Sequence, residues 1–403
     1  MDKSKNQYEW GEGVFTLLSW FKKERVKDAR VLIAGAGALG NEVVKNLALF
    51  GVGHIYVVDF DQIELSNLTR SVLFREQDAY AHAFKADVVA ARAQEINPQI
   101  EVTPIVGNLY SDVGLGLYKS VDVVIGCLDS RIARYMLNRL SLRAGKVWID
   151  GSIENMTGVV RVYAPGVSCY ECGLSREEFN HIMLRTGCAD VVRLQSSAGR
   201  VATTPISASI VGAIQVQEAM KVIHMTEGEE TPFKTLIGKM LRYEGMNNSV
   251  NQYRFASWKK ECPAHQQWKD VICINTLSAN DKVEDALSTL KKYLEVENVE
   301  INLLNNKFID VIISDRPEKE YEVMLPESQL DAYITANEEL RKLSYRTIFH
   351  KHFYENIDET FPYKHLSLKQ IGVPLFDVIQ VATEKGLYYV ELSQDAAIYN
   401  IER

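Results

Sequence analysis

The stretch VLIAGAGALGNEVVKNLALFGVGHIYVVDFD, from Val31 to Asp61, decides the fold. An apolar run leads into Gly35, Gly37 and Gly40, and these open a helical pattern. A second apolar run, HIYVV, then ends at Asp59 and Asp61. Short Val- and Ile-rich runs, apolar on both faces, belong to a buried parallel sheet. The first glycine of such a turn permits the tight bend. The second lets a phosphate approach the backbone, and the third lets helix pack on strand. The helix start adds unpaired N–H groups and the positive end of the helix dipole. Asp59 lies about 20 residues on, where an acid can accept from ribose hydroxyls. The glycines alone leave the nucleotide open. It is either NAD, for hydride transfer, or ATP, for activating a carboxylate.

The residues beyond Asp59 separate the two. DFDQIELSNLTR brings Asp61, Asn67 and Arg70 into a short span, and Lys85 opens the helix KADVVAARAQEINP. Arg70 and Lys85 can offset the charge of a triphosphate as its leaving group forms. Asp129, in VIGCLDSR, lies just past the carboxyl end of a strand, where ligands bind in open α/β sheets. A carboxylate beside phosphates suits Mg²⁺. Each of these charges taken singly also reads as an ordinary surface residue. Together at strand ends they favour ATP.

Farther along, IEVTPIVG, VDVVIGC and KVWID alternate with helical segments, the pattern of a doubly wound α/β sheet. After Gly151 come a strand, TGVVRVYAPG, the irregular SCYECG and a long loop at about 175–206. An apolar helix, SASIVGAIQVQEAMKVIH, comes next, then KTLIGKMLRYEG and VNQYRFASW as an antiparallel pair. From Cys273 the pattern becomes a small α+β unit. VEDALSTLKKYL reads as helix, VEINLLNNKFIDVII as strand, Asn-Asn turn and strand, and the end as two strands around EKG. A polar, mostly helical insert is expected at about 326–365. The expected organisation is a doubly wound nucleotide-binding domain at 1–270 and an α+β domain at 271–403.

The 403 residues carry a net charge of −8, which gives no sign of non-specific attraction to nucleic acid or membranes. No apolar run approaches the roughly 20 residues of a membrane span, and the N-terminus has no apolar secretion core. The six cysteines are sparse for the length and point to a reducing cytoplasm. Cys169 and Cys172 form one x₂-spaced pair, and Cys262 and His265 another. Brought together, they make a tetrahedral Cys₃His set suited to structural Zn²⁺. The alternative is a chance pair beside an exposed histidine. Cys188, in RTGCADVV within the long loop, is a candidate nucleophile that could take an acyl group from an adenylate. The alternative is a small buried hydrophobe, the role assigned to Cys127.

GAGALGNEVVKNLALFGVGHIYVVDFDQIELSNLTR, FKADVVAARAQEINPQIEV, CLDSRIARYMLN, GVVRVYAPGVSCYECG and IVGAIQVQEAMKVI together resemble the ubiquitin-activating enzyme superfamily, with its ThiF- and MoeB-type adenylyltransferases. The resemblance spans roughly residues 28–265. It implies that Asp59 holds ribose, that Asn67, Arg70 and Lys85 contact phosphates, and that Asp129 holds Mg²⁺. It implies adenylation of the C-terminal glycine of a ubiquitin-like protein, Zn²⁺ at the paired knuckles, and a thioester at Cys188. It also implies a homodimer. The arginine that family members carry near the N-terminus is missing, since the first arginine is Arg25. Either Lys3 or Lys5 substitutes, or the enzyme does without such a finger. The tail, through VEDALSTLKKYL and HLSLKQIGVPLFDVIQV, resembles the ubiquitin-fold domain that recruits conjugating enzymes in eukaryotic activating enzymes. Activation for transfer to a conjugating enzyme is therefore the first expectation, and activation of a sulfur carrier the second.

Overall fold

The first apolar run forms β1 (Arg30–Ala34), buried from Val31 onward. It runs parallel to β2 (His54–Val58) on one side and β4 (Val123–Gly126) on the other. Ala34 pairs in register with both Val58 and Gly126, so the carboxyl ends of three strands are level. β3 (Glu101–Ile105) lies outside β2, and β5 (Val147–Glu154) outside β4, both parallel. β6 (Thr157–Tyr163), β7 (Lys239–Glu244) and β8 (Ser249–Arg254) extend the sheet antiparallel, giving the order β3-β2-β1-β4-β5-β6-β7-β8. The chain reverses direction across the sheet at β1, which makes the gap between β1 and β4 the switch point where such sheets bind ligands. This computed structural model describes residues 15–186, 203–225, 232–255, 258–304, 306–315, 319–343 and 347–403.

The helices of this part are α1 (Lys23–Asp28), α2 (Ala38–Phe50), α3 (Glu76–Tyr80), α4 (Lys85–Ile96), α5 (Leu115–Ser120), α6 (Arg131–Arg143), α7 (Arg176–Thr186) and α8 (Pro205–His224). α8 starts where Thr204 accepts the Ser207 N–H at 3.1 Å and Pro205 takes the first helical position. Its Val211, Val216 and Ala219 join Val43, Val44 and Leu47 of α2 in one buried core with β1 and β2. Each fully buried Val or Leu contributes about 1.5–3 kcal/mol.

The chain divides into two compact units. Of the described residues, one comprises those up to Leu109, Tyr118–Met183 and 203–267; the other takes in Tyr110–Leu117, 184–186 and Trp268–Arg403. In the second, β9 (Ile272–Ile274), β10 (Val299–Asn302), β14 (Asn356–Ile357), β15 (Val378–Thr383) and β16 (Gly386–Leu392) form a sheet of order β14-β10-β15-β16-β9. The amphipathic α9 (Val283–Leu294) buries Val283, Ala286, Leu287 and Leu290 in the core of this unit. β11 (Phe308–Asp315), β12 (Lys319–Pro326) and β13 (Thr347–Tyr354) form a separate sheet whose Ile309, Val311 and Ile313 pack with Leu330 and Ile334 of α10 (Leu330–Ala336) and Leu340 of α11 (Glu338–Lys342).

The two strands read in VEINLLNNKFIDVII both form, β10 pairing with β14 and β15 and β11 with β12 and β13. One expectation for the tail does not hold. Among its described residues the insert is helical at the short turn Glu327–Gln329, at α10 and at α11, and TIFHKHFY is strand β13. β13 is an edge strand with a bulge opposite Asp310 and Val311. A largely exposed edge admits His and Lys, and the bulge breaks the two-residue alternation by which a strand is recognised.

Candidate functional site

The loop after β1 is set by backbone contacts. Gly35 has φ +99° and donates its N–H to the Val58 carbonyl at 2.8 Å. A Cβ on Gly35 would lie 2.5 Å from the Cys127 carbonyl oxygen, and one on Gly40 would lie 2.1 Å from the Gly35 carbonyl oxygen. Gly37 differs, with nothing within 4 Å of where its Cβ would stand. Gly37 is also the N-cap of α2, and no side chain caps that helix. The first-turn N–H groups of a helix lack intrahelical partners. Here they open onto a cradle left clear by a glycine, which fits an anion such as a phosphate.

Asp59 closes this loop from the end of β2. One carboxylate oxygen accepts the Ala36 N–H at 2.7 Å and the other the Asp61 N–H at 2.8 Å. Burial pushes its carboxyl above the usual range, against the opposing pull of Lys85 and of these two N–H groups. A carboxylate has lone pairs beyond these two bonds for ribose hydroxyls. Asp61 in turn pairs with Lys85, Nζ to Oδ2 at 2.6 Å. Lys85 is the first residue of α4, an unfavourable end of a helix for a cation. It is held there because the backbone of residues 61–63 runs beside that of 83–85, with Ile63 N–H on the Ala83 carbonyl and Lys85 N–H on the Asp61 carbonyl.

Asn67 closes the short turn Leu65–Asn67, and Arg70 stands three residues beyond it. Asn67 Oδ1 accepts the Glu64 N–H at 3.0 Å, and Arg70 Nη1 donates to the Ser66 carbonyl at 2.8 Å. Both are thus tied to their own turn. Asp129 is exposed and lies just past β4. It is two residues beyond Cys127, whose carbonyl abuts Gly35, so it shares the mouth of the sheet with the glycine loop. The structure therefore joins Asp59, Asp61 and Lys85 by direct bonds. It brings Asp129 to the same end through the chain. Cys127 is packed against Gly35, and burial and Asp150 push its thiol far up, which suits an inert core residue. Cys188 lies outside the described residues.

Several supporting residues gave no signal that sequence reasoning used. Asn41, 0% exposed, donates to the Ala36 and Gly37 carbonyls at 2.8 and 2.9 Å and accepts the Leu73 N–H at 2.9 Å. It therefore ties the glycine loop to the turn after Arg70. Gln215 of α8, equally buried, donates to the carbonyls of Gly126 and Ile149 at 2.9 and 3.1 Å. Asp150 accepts from Arg134 at 2.8 Å and Arg161 at 3.1 Å, and Arg134 also bonds the Leu128 carbonyl beside Asp129. The available signal was a polar residue in line with the apolar stripe of its helix: Asn41 stands three and seven residues before Val44 and Ala48, and Gln215 four residues from both Val211 and Ala219.

The two knuckles meet. The ligand atoms of Cys169, Cys172, Cys262 and His265 all lie within 4.8 Å of one another. Cys169 Sγ is 3.7 Å from both other sulfurs, and Cys172 Sγ is 3.4 Å from His265 Nε2. Bonds of about 2.3 Å to sulfur and 2.0–2.1 Å to nitrogen give tetrahedral edges of about 3.8 and 3.5 Å. Burial pushes the Cys169 and Cys262 thiols up, whereas at Cys172 burial is outweighed by hydrogen bonds that hold the thiol down; cysteine binds metal as thiolate, so a cation here would displace these protons. The donor set thus fits Zn²⁺ in spacing and in chemistry.

A doubly wound sheet with a glycine loop after its first strand and an acid at the end of the next is the arrangement of a nucleotide-binding domain. The chain belongs to the ThiF family, whose profile matches residues 14–264. It is 31% identical to the adenylyltransferase and sulfurtransferase MOCS3 of Culex quinquefasciatus, over 60% of this chain and 50% of that protein. It is 30% identical to the sulfur carrier protein adenylyltransferase of Thermus thermophilus, over 57% of this chain and 80% of that one. It is 34% identical to the SUMO-activating enzyme subunit uba-2 of Caenorhabditis elegans, over 38% of this chain and 27% of that one. The chain spans about half the length of the MOCS3 relatives it matches first. Among the described residues no helix is long and apolar enough to cross a membrane.

Proposed function

We propose that the chain is an adenylyltransferase that uses ATP to activate the C-terminal glycine carboxylate of a small ubiquitin-like carrier, which then accepts sulfur. The observation that carries this is the bonded series at the ends of β1 and β2, from the open Gly37 cradle through Asp59 to the Asp61–Lys85 pair. In this reading the start of α2 holds phosphate, and Asp59 takes the ribose hydroxyls. Asn67, Arg70 and Lys85 face the phosphates, and Asp129 holds Mg²⁺, which would screen their charge. The carrier's carboxylate oxygen attacks the α-phosphorus, and the bond to the bridging oxygen breaks. The electron pair leaves on pyrophosphate, where Arg70 and Lys85 offset the developing charge. Cys169, Cys172, Cys262 and His265 hold a structural Zn²⁺.

The sulfur-carrier destination stands first because relatives matched over most of this chain's ThiF segment are named for sulfur transfer or sulfur carriers. This reverses the order drawn from the sequence, where the tail put conjugation first. The second reading is activation of a modifier, with a thioester on Cys188 and delivery to a conjugating enzyme. It is supported by the separate α+β unit at Trp268–Arg403 and by the likeness to uba-2.

The test is ATP–pyrophosphate exchange with Mg²⁺ and Gly-terminated sulfur carriers or ubiquitin-like proteins. Exchange that requires a carrier is expected. Failure with every Gly-terminated carrier refutes the activity. A reducible adduct on a non-reducing gel, lost in Cys188→Ala with exchange intact, selects the second reading.

A further inference from the structure

The two metal knuckles are held in different ways. In the first, Glu171 stands between Cys169 and Cys172, and both its carboxylate oxygens meet Arg139 of α6, at 2.8 and 3.1 Å. Asn138 of α6 accepts the Tyr170 N–H at 3.1 Å. The sulfurs are also met by backbone N–H groups: Cys172 toward Cys169, Lys259 toward Cys172 and Ala264 toward Cys262.

His265 has no such support. A metal-bound imidazole usually donates its other ring N–H to a carboxylate or carbonyl, which fixes the ring and strengthens the ligand. Nε2 of His265 faces Cys172, and its Nδ1 is buried with no hydrogen-bond partner among the described residues. The ring is instead set against Trp258. The two rings are parallel to within 2°, with centroids 5.3 Å apart, an offset stack. The indole itself is 47% exposed, so the stack is not imposed by a surrounding core.

We propose that Trp258 is the positioning residue of the metal centre: its indole face does the work of the missing hydrogen bond, and His265 is the first ligand to detach. A stack fixes the plane of the imidazole but adds no electron density to Nε2, as an acceptor on Nδ1 would. The three thiolates have N–H donors and, at the first knuckle, an Arg–Glu clamp. The histidine arm is therefore the weak side of the tetrahedron. This rests on the reading of the cluster as a zinc site.

The experiment uses full-length zinc-loaded protein and monitors metal release into a chromogenic chelator. Trp258→Ala is expected to release zinc at least about tenfold faster, within the 10–100-fold range of lost outer-shell partners, while Trp258→Phe keeps a ring face and stays near wild type. In a His265→Cys background, Trp258→Ala should leave the release rate unchanged. In cobalt-substituted protein, Trp258→Ala should shift the visible bands toward those of His265→Ala. Trp258→Leu, apolar but without a ring face, serves if the alanine variant does not accumulate. An unchanged release rate in Trp258→Ala overturns the proposal. So does equal acceleration in the His265→Cys background, which would make Trp258 a general support of the fold. Wild-type protein that holds no metal refutes the zinc reading itself, and the proposal with it; the other failures leave that reading intact.

Discussion

Two alanine substitutions in the glycine loop should separate stability from nucleotide binding. At Gly40 the new Cβ would stand 2.1 Å from the Gly35 carbonyl oxygen, a backbone atom that cannot turn aside. Overpacking costs about 1–3 kcal/mol, and so close a backbone contact belongs at the upper end. Alanine in a helix returns about 1 kcal/mol. The net loss for Gly40→Ala is therefore about 2 kcal/mol, or ~4–8 °C in Tm for a unit of 150–250 residues. At Gly37 the same methyl meets nothing within 4 Å, and φ is −73°, open to any residue. Gly37→Ala should stay within about 0.5 kcal/mol of wild type in stability. Its methyl, however, fills the cradle at the start of α2. ATP affinity should fall at least about tenfold, ~1.4 kcal/mol. Thermal unfolding and calorimetric ATP titration read the two effects separately. Wild-type ATP affinity in Gly37→Ala, or equal Tm losses in both variants, would refute the assignment of this loop.

The geometry sets three more outcomes. Asn41→Leu leaves the buried Leu73 N–H without its acceptor and the Ala36 carbonyl without this donor; urea unfolding should show a loss of about 2–4 kcal/mol, and Asn41→Asp, which sets a buried carboxylate against the Ala36 and Gly37 carbonyls, should lose at least as much. Lys85→Met removes a pair whose Asp61 side is 51% exposed, so stability should move by no more than about 1 kcal/mol while carrier-dependent exchange falls roughly 10²–10³-fold; full exchange would remove Lys85 from the phosphate site. His224 is held neutral by burial, with Nδ1 donating to the Met220 carbonyl and Nε2 accepting the Lys22 N–H, so its pKa lies below the ordinary 6.5. The unfolded chain then gains a proton near pH 6.5 that the folded one refuses until lower pH. Stability is unaffected above that value and declines as pH falls through the window beneath it, and denaturant midpoints in His224→Gln should show a shallower acid decline.

The doubly wound core was legible because a buried parallel strand and an amphipathic helix each impress their own period on the chain. The spacing of Gly35, Gly37, Gly40 and Asp59 likewise reports local backbone demands. The bond between Asp61 and Lys85 was only half legible. Their residue types suggested phosphate chemistry, but their meeting depends on residues 61–63 running beside 83–85. Asn41 and Gln215 escaped notice because a buried amide is recognised only by the carbonyls it reaches, and those lie on other elements. β13 escaped because an exposed, bulged edge carries no burial pattern to read.

The second unit borrows Tyr110–Leu117 from far upstream. There the Leu115 N–H bonds Asp377 at 2.7 Å, a partner 262 residues later, and the Gly116 N–H bonds the Phe376 carbonyl at 3.0 Å. A Cβ on either Gly114 or Gly116 would stand 2.4 Å or less from a carbonyl oxygen of residues 375–376, so the fit depends on two missing side chains. On the ribosome, at about 5–20 residues per second, this strap waits roughly 13–52 s for its partner to emerge. A fragment cut to begin at Trp268 would lack it altogether. The tail is thus not a cassette that translation can finish, or a gene fusion can transplant, independently of the nucleotide-binding half.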